Sequence, residues 1–131
     1  MREREREREA ADNKKRALVV EDAPDLSSLL AQVISLDGWA VDVVSDGAEA
    51  LQTFKPGRYG LVITDINLGG GLDGIALALK LLALEPGLRI TVMSGSSSTS
   101  TDADRARAAG LGAILEKPFD PAKLLAMIRR I

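Results

Sequence analysis

From Ala17 to the end of the chain, short apolar runs alternate strictly with segments long enough to be helices. Strand-like runs fall at residues 17–21, 40–44, 61–65, 89–93 and 113–116, and helix-like segments at 24–36, 47–54, 74–84, 102–109 and 121–131. In Leu18-Val19-Val20 and Leu61-Val62-Ile63 the apolar residues are consecutive, with no polar residue between them. A strand of that kind has water on neither face, the condition of a parallel sheet covered on both sides by helices. Gly38, Gly60, Gly87 and Gly110 mark the helix-to-strand turns, and Pro56 and Pro86 reinforce two of them. The pattern predicts an α/β doubly wound (βα)5 domain with a five-stranded parallel sheet. In such folds, chemistry gathers outside the C-terminal strand ends, beside the point where strand order reverses.

At 131 residues, 46% of them hydrophobic, the chain suits one domain and needs neither disulfide nor structural metal to fold. The absence of Cys and His excludes thiol catalysis, imidazole acid–base chemistry, and haem, zinc-finger or iron–sulfur ligation. Lys and Arg total 17 against 19 Asp and Glu, a net charge of -2, so no basic footprint points to nucleic acid and no DNA-binding domain is expected. The longest apolar stretch, residues 75–84, is interrupted by Lys80 and too short to span a bilayer, and no signal-peptide core opens the chain. A cytoplasmic location without membrane association is expected. Residues 2–9 alternate Arg and Glu. Such a repeat cannot join a core, so residues 1–14 read as a charged N-terminal extension, either a solvated tail or a helical lead-in, and residues 15–131 as the domain. The last helical segment reaches the final residue, which favours a stand-alone domain acting through its surfaces.

Glu21 and Asp22 lie at the end of the first strand-like run, Asp65 at the end of the third, Ser94 after the fourth and Lys117 after the fifth. Singly, each has a local use: Asp22 can cap the helix near Pro24, Asp65 can open a turn, Ser94 a polar loop, and Lys117 can sit in solvent. Parallel strands, however, bring all of them to one edge. Carboxylates crowded in a partly buried site repel one another by several kcal/mol unless a cation joins them. An all-oxygen donor set with room for water suits Mg²⁺. Asp65 is then a candidate nucleophile toward a phosphoryl group, with the Lys117 ammonium and the Ser94 hydroxyl or a backbone N–H to neutralise phosphoryl oxygens.

Four motifs in order carry a family resemblance: LVVEDAPDL at the acidic pair, VITDINLGGGLDG from the third strand into its loop, VMSGS at the fourth and EKPF at the fifth. Over residues 15–131 the chain resembles the receiver domain of bacterial two-component response regulators, of the single-domain chemotaxis type. The resemblance implies a flavodoxin-like sheet in the order 2-1-3-4-5 and a cis Lys117-Pro118 peptide. It implies that Asp22, Asp65 and the backbone carbonyl of Asn67 hold Mg²⁺, that Glu21 acts through metal-bound water, that Asp65 is the phosphoacceptor, and that Ser94 and Lys117 contact the phosphate. The donor would be the phosphohistidine of a sensor histidine kinase or histidine phosphotransfer protein, and the output an unidentified downstream protein. A chain of this kind is not an enzyme acting on separate substrates; it catalyses only its own phosphoryl transfer and dephosphorylation. Two positions depart from the family pattern. Gly69-Gly70-Gly71 stand where many receivers have a Met-Pro turn, and a mobile loop is expected there. Ile114 replaces the family's switch aromatic, so switching is expected to rely on the SGSSSTST segment, residues 94–101, and the fourth helix.

Two other readings are open on the residues. Residues 69–74 satisfy G-x-G-x-x-G, a dinucleotide signature, but they follow the third strand, no acid ends the next one, and Ile75-Ala76 replaces the Lys-Ser/Thr of a P-loop. The alternative is a receiver-like binding module that signals without phosphorylation, against which the complete acid, hydroxyl and lysine set argues. In the third helix Ile75, Leu79 and Leu82 form one stripe and Leu77, Leu81 and Leu84 another roughly opposite. By the resemblance Leu77 and Leu81 face the sheet, leaving Leu79, Leu82, Ala76 and Ala83 outward with Lys80. Either loops or an ordered tail cover those leucines, or they form a homodimer or partner-docking patch.

Overall fold

The computed structural model describes residues 15–68, 72–95 and 99–129. In chain order its elements are β1 (Arg16–Val20), α1 (Pro24–Leu36), β2 (Ala40–Val44), α2 (Gly47–Thr53), β3 (Leu61–Asp65), α3 (Gly74–Leu84), β4 (Ile90–Ser94), α4 (Thr99–Ala108), β5 (Ile114–Glu116) and α5 (Pro121–Arg129). The strands form one parallel sheet in the order β2-β1-β3-β4-β5. Both the doubly wound architecture expected from the alternation and the strand order implied by the resemblance are found.

Consecutive apolar residues in the central strands serve two cores. Ala17 and Val19 of β1, with Leu61 and Ile63 of β3, face α1 and α5 through Leu30, Val33, Ile34, Leu124 and Ile128. Leu18, Val20 and Val62 face α2, α3 and α4 through Ala50, Leu77, Ala78, Leu81 and Ala106. Burying each large aliphatic side chain contributes about 1.5–3 kcal/mol, which a polar replacement on either face would forfeit.

Local signals set most boundaries. Pro24 opens α1, where its missing N–H leaves no hydrogen bond unmade. Asp46 and Asp73 cap α2 and α3, each accepting a 2.8 Å hydrogen bond from the N–H of Glu49 or Ala76. Past the ends of α1 and α4, Gly38 and Gly110 take φ of 90° and 88°, which costs glycine no Cβ clash. Helix α4 begins at Thr99 rather than at the expected residue 102; Thr99-Ser100-Thr101 carries no apolar period, so periodicity does not mark its first turn. Helix α2 stops at Thr53, and Phe54 turns extended (φ -68°, ψ 134°). The Arg-Glu repeat, Gly69-Gly70-Gly71, the middle of SGSSSTST and the last two residues lie outside the described residues.

Helix α3 differs from its two-stripe reading. Leu77 and Leu81 do face the sheet, and Ile75 and Ala78 are buried with them, because the helix start is pressed onto the end of β3. Leu82, expected outward, packs partly against the core. Leu84, on the Leu77 stripe but the last residue of the helix, is 55% exposed, and Leu79 is 44% exposed. Among the described residues no helix is long and apolar enough to cross a membrane.

Candidate functional site

Strand register assembles the site. Val20 pairs with Thr64, Asp65 with Met93 and Ser94 with Glu116. Glu21 is one residue past Val20 and Lys117 one past Glu116, so Glu21, Asp65, Ser94 and Lys117 line the C-terminal edge. From β1 the chain crosses to β2 on one side, and β3 lies on the other, which makes the β1/β3 gap the switch point. Asp22 follows Glu21 at the mouth of that gap.

The side chains converge there. Lys117 Nζ donates to Asp65 Oδ2 at 2.6 Å and to Glu21 Oε1 at 3.1 Å. The second oxygen of each acid is held by backbone: Asn67 N–H donates to Asp65 Oδ1 and Ala23 N–H to Glu21 Oε2, both at 3.0 Å. Glu21 and Asp65 are buried, at 3% and 6% exposure, and Asp22 is exposed. Carboxylate oxygens of Glu21, Asp22 and Asp65 lie within 4.8 Å of one another. Ser94 is buried, its hydroxyl making a long 3.5 Å contact to the Gly95 carbonyl. The Lys117-Pro118 peptide is cis.

Electrostatics set what this arrangement favours. Burial pushes the Glu21 carboxyl above the ordinary carboxylate range; the Ala23 N–H and Lys117 pull it down, and the Asp65 charge pushes it further up. Burial also works against the Lys117 charge, but hydrogen bonds to Asp65 and Glu21 outweigh it and hold the ammonium above the usual lysine value. One ammonium therefore faces three carboxylates, two of them desolvated, and does not offset the cost of burying Glu21. A second, hard cation with oxygen ligands fits that donor set. Glu21, Asp22 and Asp65 supply hard oxygens from one side, and the exposed Asp22 leaves the site open to water.

All six residues singled out from the sequence lie at or beside this edge. Asn67 touches it through its backbone N–H, while its side chain donates to Asp102 Oδ2 at 3.4 Å. Two features were not legible beforehand. Asp102 on α4 is 6% exposed, and Arg105 bridges it to Asp73 across 32 residues of sequence. An isolated i,i+3 acid–base pair on a helix signals only a surface contact, so nothing in the sequence marked it. Gly74, the first residue of α3, packs so closely on β3 that an added Cβ would lie 1.9 Å from the Asp65 carbonyl oxygen. This glycine serves helix-to-strand packing at Asp65; Gly69 and Gly71, the other two glycines of the G-x-G-x-x-G pattern, lie outside the described residues.

The response regulator receiver domain family matches residues 17–129 of this chain. Among curated relatives, the transcriptional regulatory protein PrrA of Mycobacterium tuberculosis is 34% identical over 120 residues, covering 88% of this chain and 49% of its own length. The DNA-binding response regulator MtrA of Mycolicibacterium smegmatis is 31% identical over 116 residues, covering 88% of this chain and 50% of its own. This chain thus spans about half the length of those regulators. Among solved structures, the receiver domain of NtrX from Brucella abortus superposes with a TM-score of 0.80 at 31% identity, covering 87% of this chain and 95% of that one. The receiver domain of the sensor histidine kinase PA1611 from Pseudomonas aeruginosa, with a magnesium ion coordinated in its active-site cleft, gives 0.78 at 26% identity, covering 88% and 95%.

Proposed function

This chain belongs to the response regulator receiver domain family of two-component systems, and on that premise we propose that Asp65 accepts a phosphoryl group from a partner's phosphohistidine in a Mg²⁺-dependent transfer. The observation that carries the reading is the Asp65 carboxylate itself. It is buried at the C-terminal end of β3, 2.6 Å from Lys117 Nζ and within 4.8 Å of the Glu21 and Asp22 oxygens. No packing need accounts for three acids there.

In the transfer an Asp65 oxygen forms the O–P bond as the donor's N–P bond breaks and the donor imidazole leaves. Asn67 N–H holds the other Asp65 oxygen and thereby fixes the plane of the carboxylate for in-line attack. Lys117 is the cation nearest the acceptor and can follow the charge as it spreads onto the phosphoryl oxygens. The buried Ser94 hydroxyl, on the neighbouring strand, has its donor free enough to turn to a phosphoryl oxygen, its existing contact being long. Asp22, Asp65 and the Asn67 carbonyl would hold Mg²⁺, with Glu21 acting through water, and the ion when bound would supply positive charge to the acid cluster and to the entering phosphoryl group. The chain has no His of its own, so the donor is a separate histidine kinase or phosphotransfer domain. Output runs through surfaces of the domain that respond to the acceptor.

Incubation with Mg²⁺ and acetyl phosphate followed by intact-mass measurement tests this. The parent should gain one phosphoryl group, and Asp65→Ala or omission of Mg²⁺ should abolish the gain. Labelling of Asp65→Ala at the parent rate would overturn the assignment, and an unlabelled parent would favour a module that binds partners without phosphorylation.

A further inference from the structure

We propose that Asp102 and Arg105 of α4 are positioning residues for the acceptor: they hold both ends of the loop after Asp65, so that occupancy of Asp65 and the placement of α4 are set together. This rests on the reading of Asp65 as phosphoacceptor.

The contacts form a closed circuit. Asn67 N–H donates to Asp65 Oδ1 at 3.0 Å, and Asn67 Nδ2 donates to Asp102 Oδ2 at 3.4 Å. Asp102 Oδ1 lies 3.5 Å from Arg105 Nη1, and Arg105 Nη2 donates to Asp73 Oδ2 at 2.7 Å. The other Asp73 oxygen accepts from Ala76 N–H at 2.8 Å and so caps α3. Gly74, next to it, donates its N–H to the Ile66 carbonyl at 2.8 Å and packs on the Asp65 carbonyl. One turn of α4 therefore grips the loop at residue 67 and again at residue 73, and the circuit returns to the acceptor's own backbone.

Two features separate this clasp from an ordinary surface ion pair. Asp102 is 6% exposed, so its contacts to Asn67 at 3.4 Å and to Arg105 at 3.5 Å are made by a carboxylate largely withdrawn from water. Its partners in the loop are also the residues whose placement the acceptor needs, since Asn67 carries both the N–H on Asp65 and the carbonyl assigned to the metal. Ile114, on β5, lacks the ring by which an inward-turning side chain could relay the state of Asp65. A polar link from the loop to α4 supplies another route. By linkage, whatever Asp65 binding does to α4, fixing α4 does to Asp65 binding, by the same factor.

The test uses the whole chain with Mg²⁺ and beryllofluoride, an unreactive phosphoryl mimic, and reads amide hydrogen exchange across residues 102–108. Mg²⁺ affinity is read separately by calorimetry without the mimic. Arg105 is half-exposed, so Arg105→Ala should fold, and the near-isosteric Asp102→Asn provides a second variant. In the parent, the mimic should raise α4 protection. Both variants should lose most of that response and bind Mg²⁺ about threefold to tenfold more weakly, while acetyl phosphate still labels Asp65 by mass. The double variant should be no worse than the weaker single one, because both cut one circuit. An α4 response and Mg²⁺ affinity unchanged in Arg105→Ala would overturn the proposal, as would a parent whose α4 ignores the mimic or variants whose effects simply add. A parent that takes neither mimic nor phosphate is a different failure, that of the acceptor reading itself.

Discussion

In a Gly74→Ala chain the added Cβ would lie 1.9 Å from the Asp65 carbonyl oxygen, 2.7 Å from its carbonyl carbon and 2.8 Å from the Ile66 Cα. Ordinary contact begins at 3.4 Å, so the start of α3 or the end of β3 must shift by about 1.5 Å. All three atoms are backbone, and no side-chain rotation relieves the clash. Overpacking of this kind costs about 1–3 kcal/mol, and displacing α3 also weakens the Gly74 N–H bond to Ile66, worth about 1 kcal/mol. Against this, alanine favours a helix over glycine by at most about 1 kcal/mol. The expected net is a loss of roughly 1–3 kcal/mol, with a slowing of acetyl-phosphate labelling because the displaced atoms belong to Asp65, the proposed acceptor. Denaturant unfolding followed by the fluorescence of the single tryptophan, Trp39, measures the first, and intact mass the second. Gly87→Ala is the control: a Cβ there meets nothing within 4 Å, so stability should hold or rise slightly. A Gly74→Ala chain as stable as the parent and labelled at the parent rate would refute the packing argument.

Lys117→Met leaves the buried Glu21 and Asp65 facing one another without their ammonium, at a cost of roughly 3 kcal/mol, the low end of the range for breaking a buried pair because the lysine is 24% exposed. Saturating Mg²⁺ should recover part of that loss in the denaturant midpoint, and a variant as stable as the parent without metal would contradict the electrostatic account. Tyr59, the one tyrosine, is held above the usual phenol value by burial and by its 2.7 Å hydrogen bond to Asp42. A folded-state value above the unfolded one means its stabilisation is complete below about pH 10 and lost as pH rises through the raised value, so phenolate absorbance should appear later than for free tyrosine. Onset at the free value would show that the bond to Asp42 is not kept in solution. Leu81→Ala should cost about 2–5 kcal/mol and Leu84→Ala less than about 0.5 kcal/mol, although both lie on one stripe of α3; equal melting temperatures for the two would reject the observed orientation of the helix.

Periodicity and punctuation in the sequence determined the elements and their kind. Consecutive apolar residues at 18–20 and 61–63 demand helices on both faces, and glycines and prolines close the turns between them. Polar residues at the strand ends then had to share one edge, and their motif order carried the family resemblance, from which the strand order came; the alternation alone leaves that order open. These are local signals, each complete within a dozen residues or so. What only the tertiary structure decided are the meetings of residues far apart in the chain. Lys117 reaches Glu21 across 96 residues, and Arg105 reaches Asp73 across 32. Such contacts depend on strand register and on how each crossover helix is laid across the sheet, quantities with no local signature. The same holds for α3, where two leucine stripes are equal by periodicity, and the pressing of Gly74 onto the Asp65 carbonyl selects the face that turns inward.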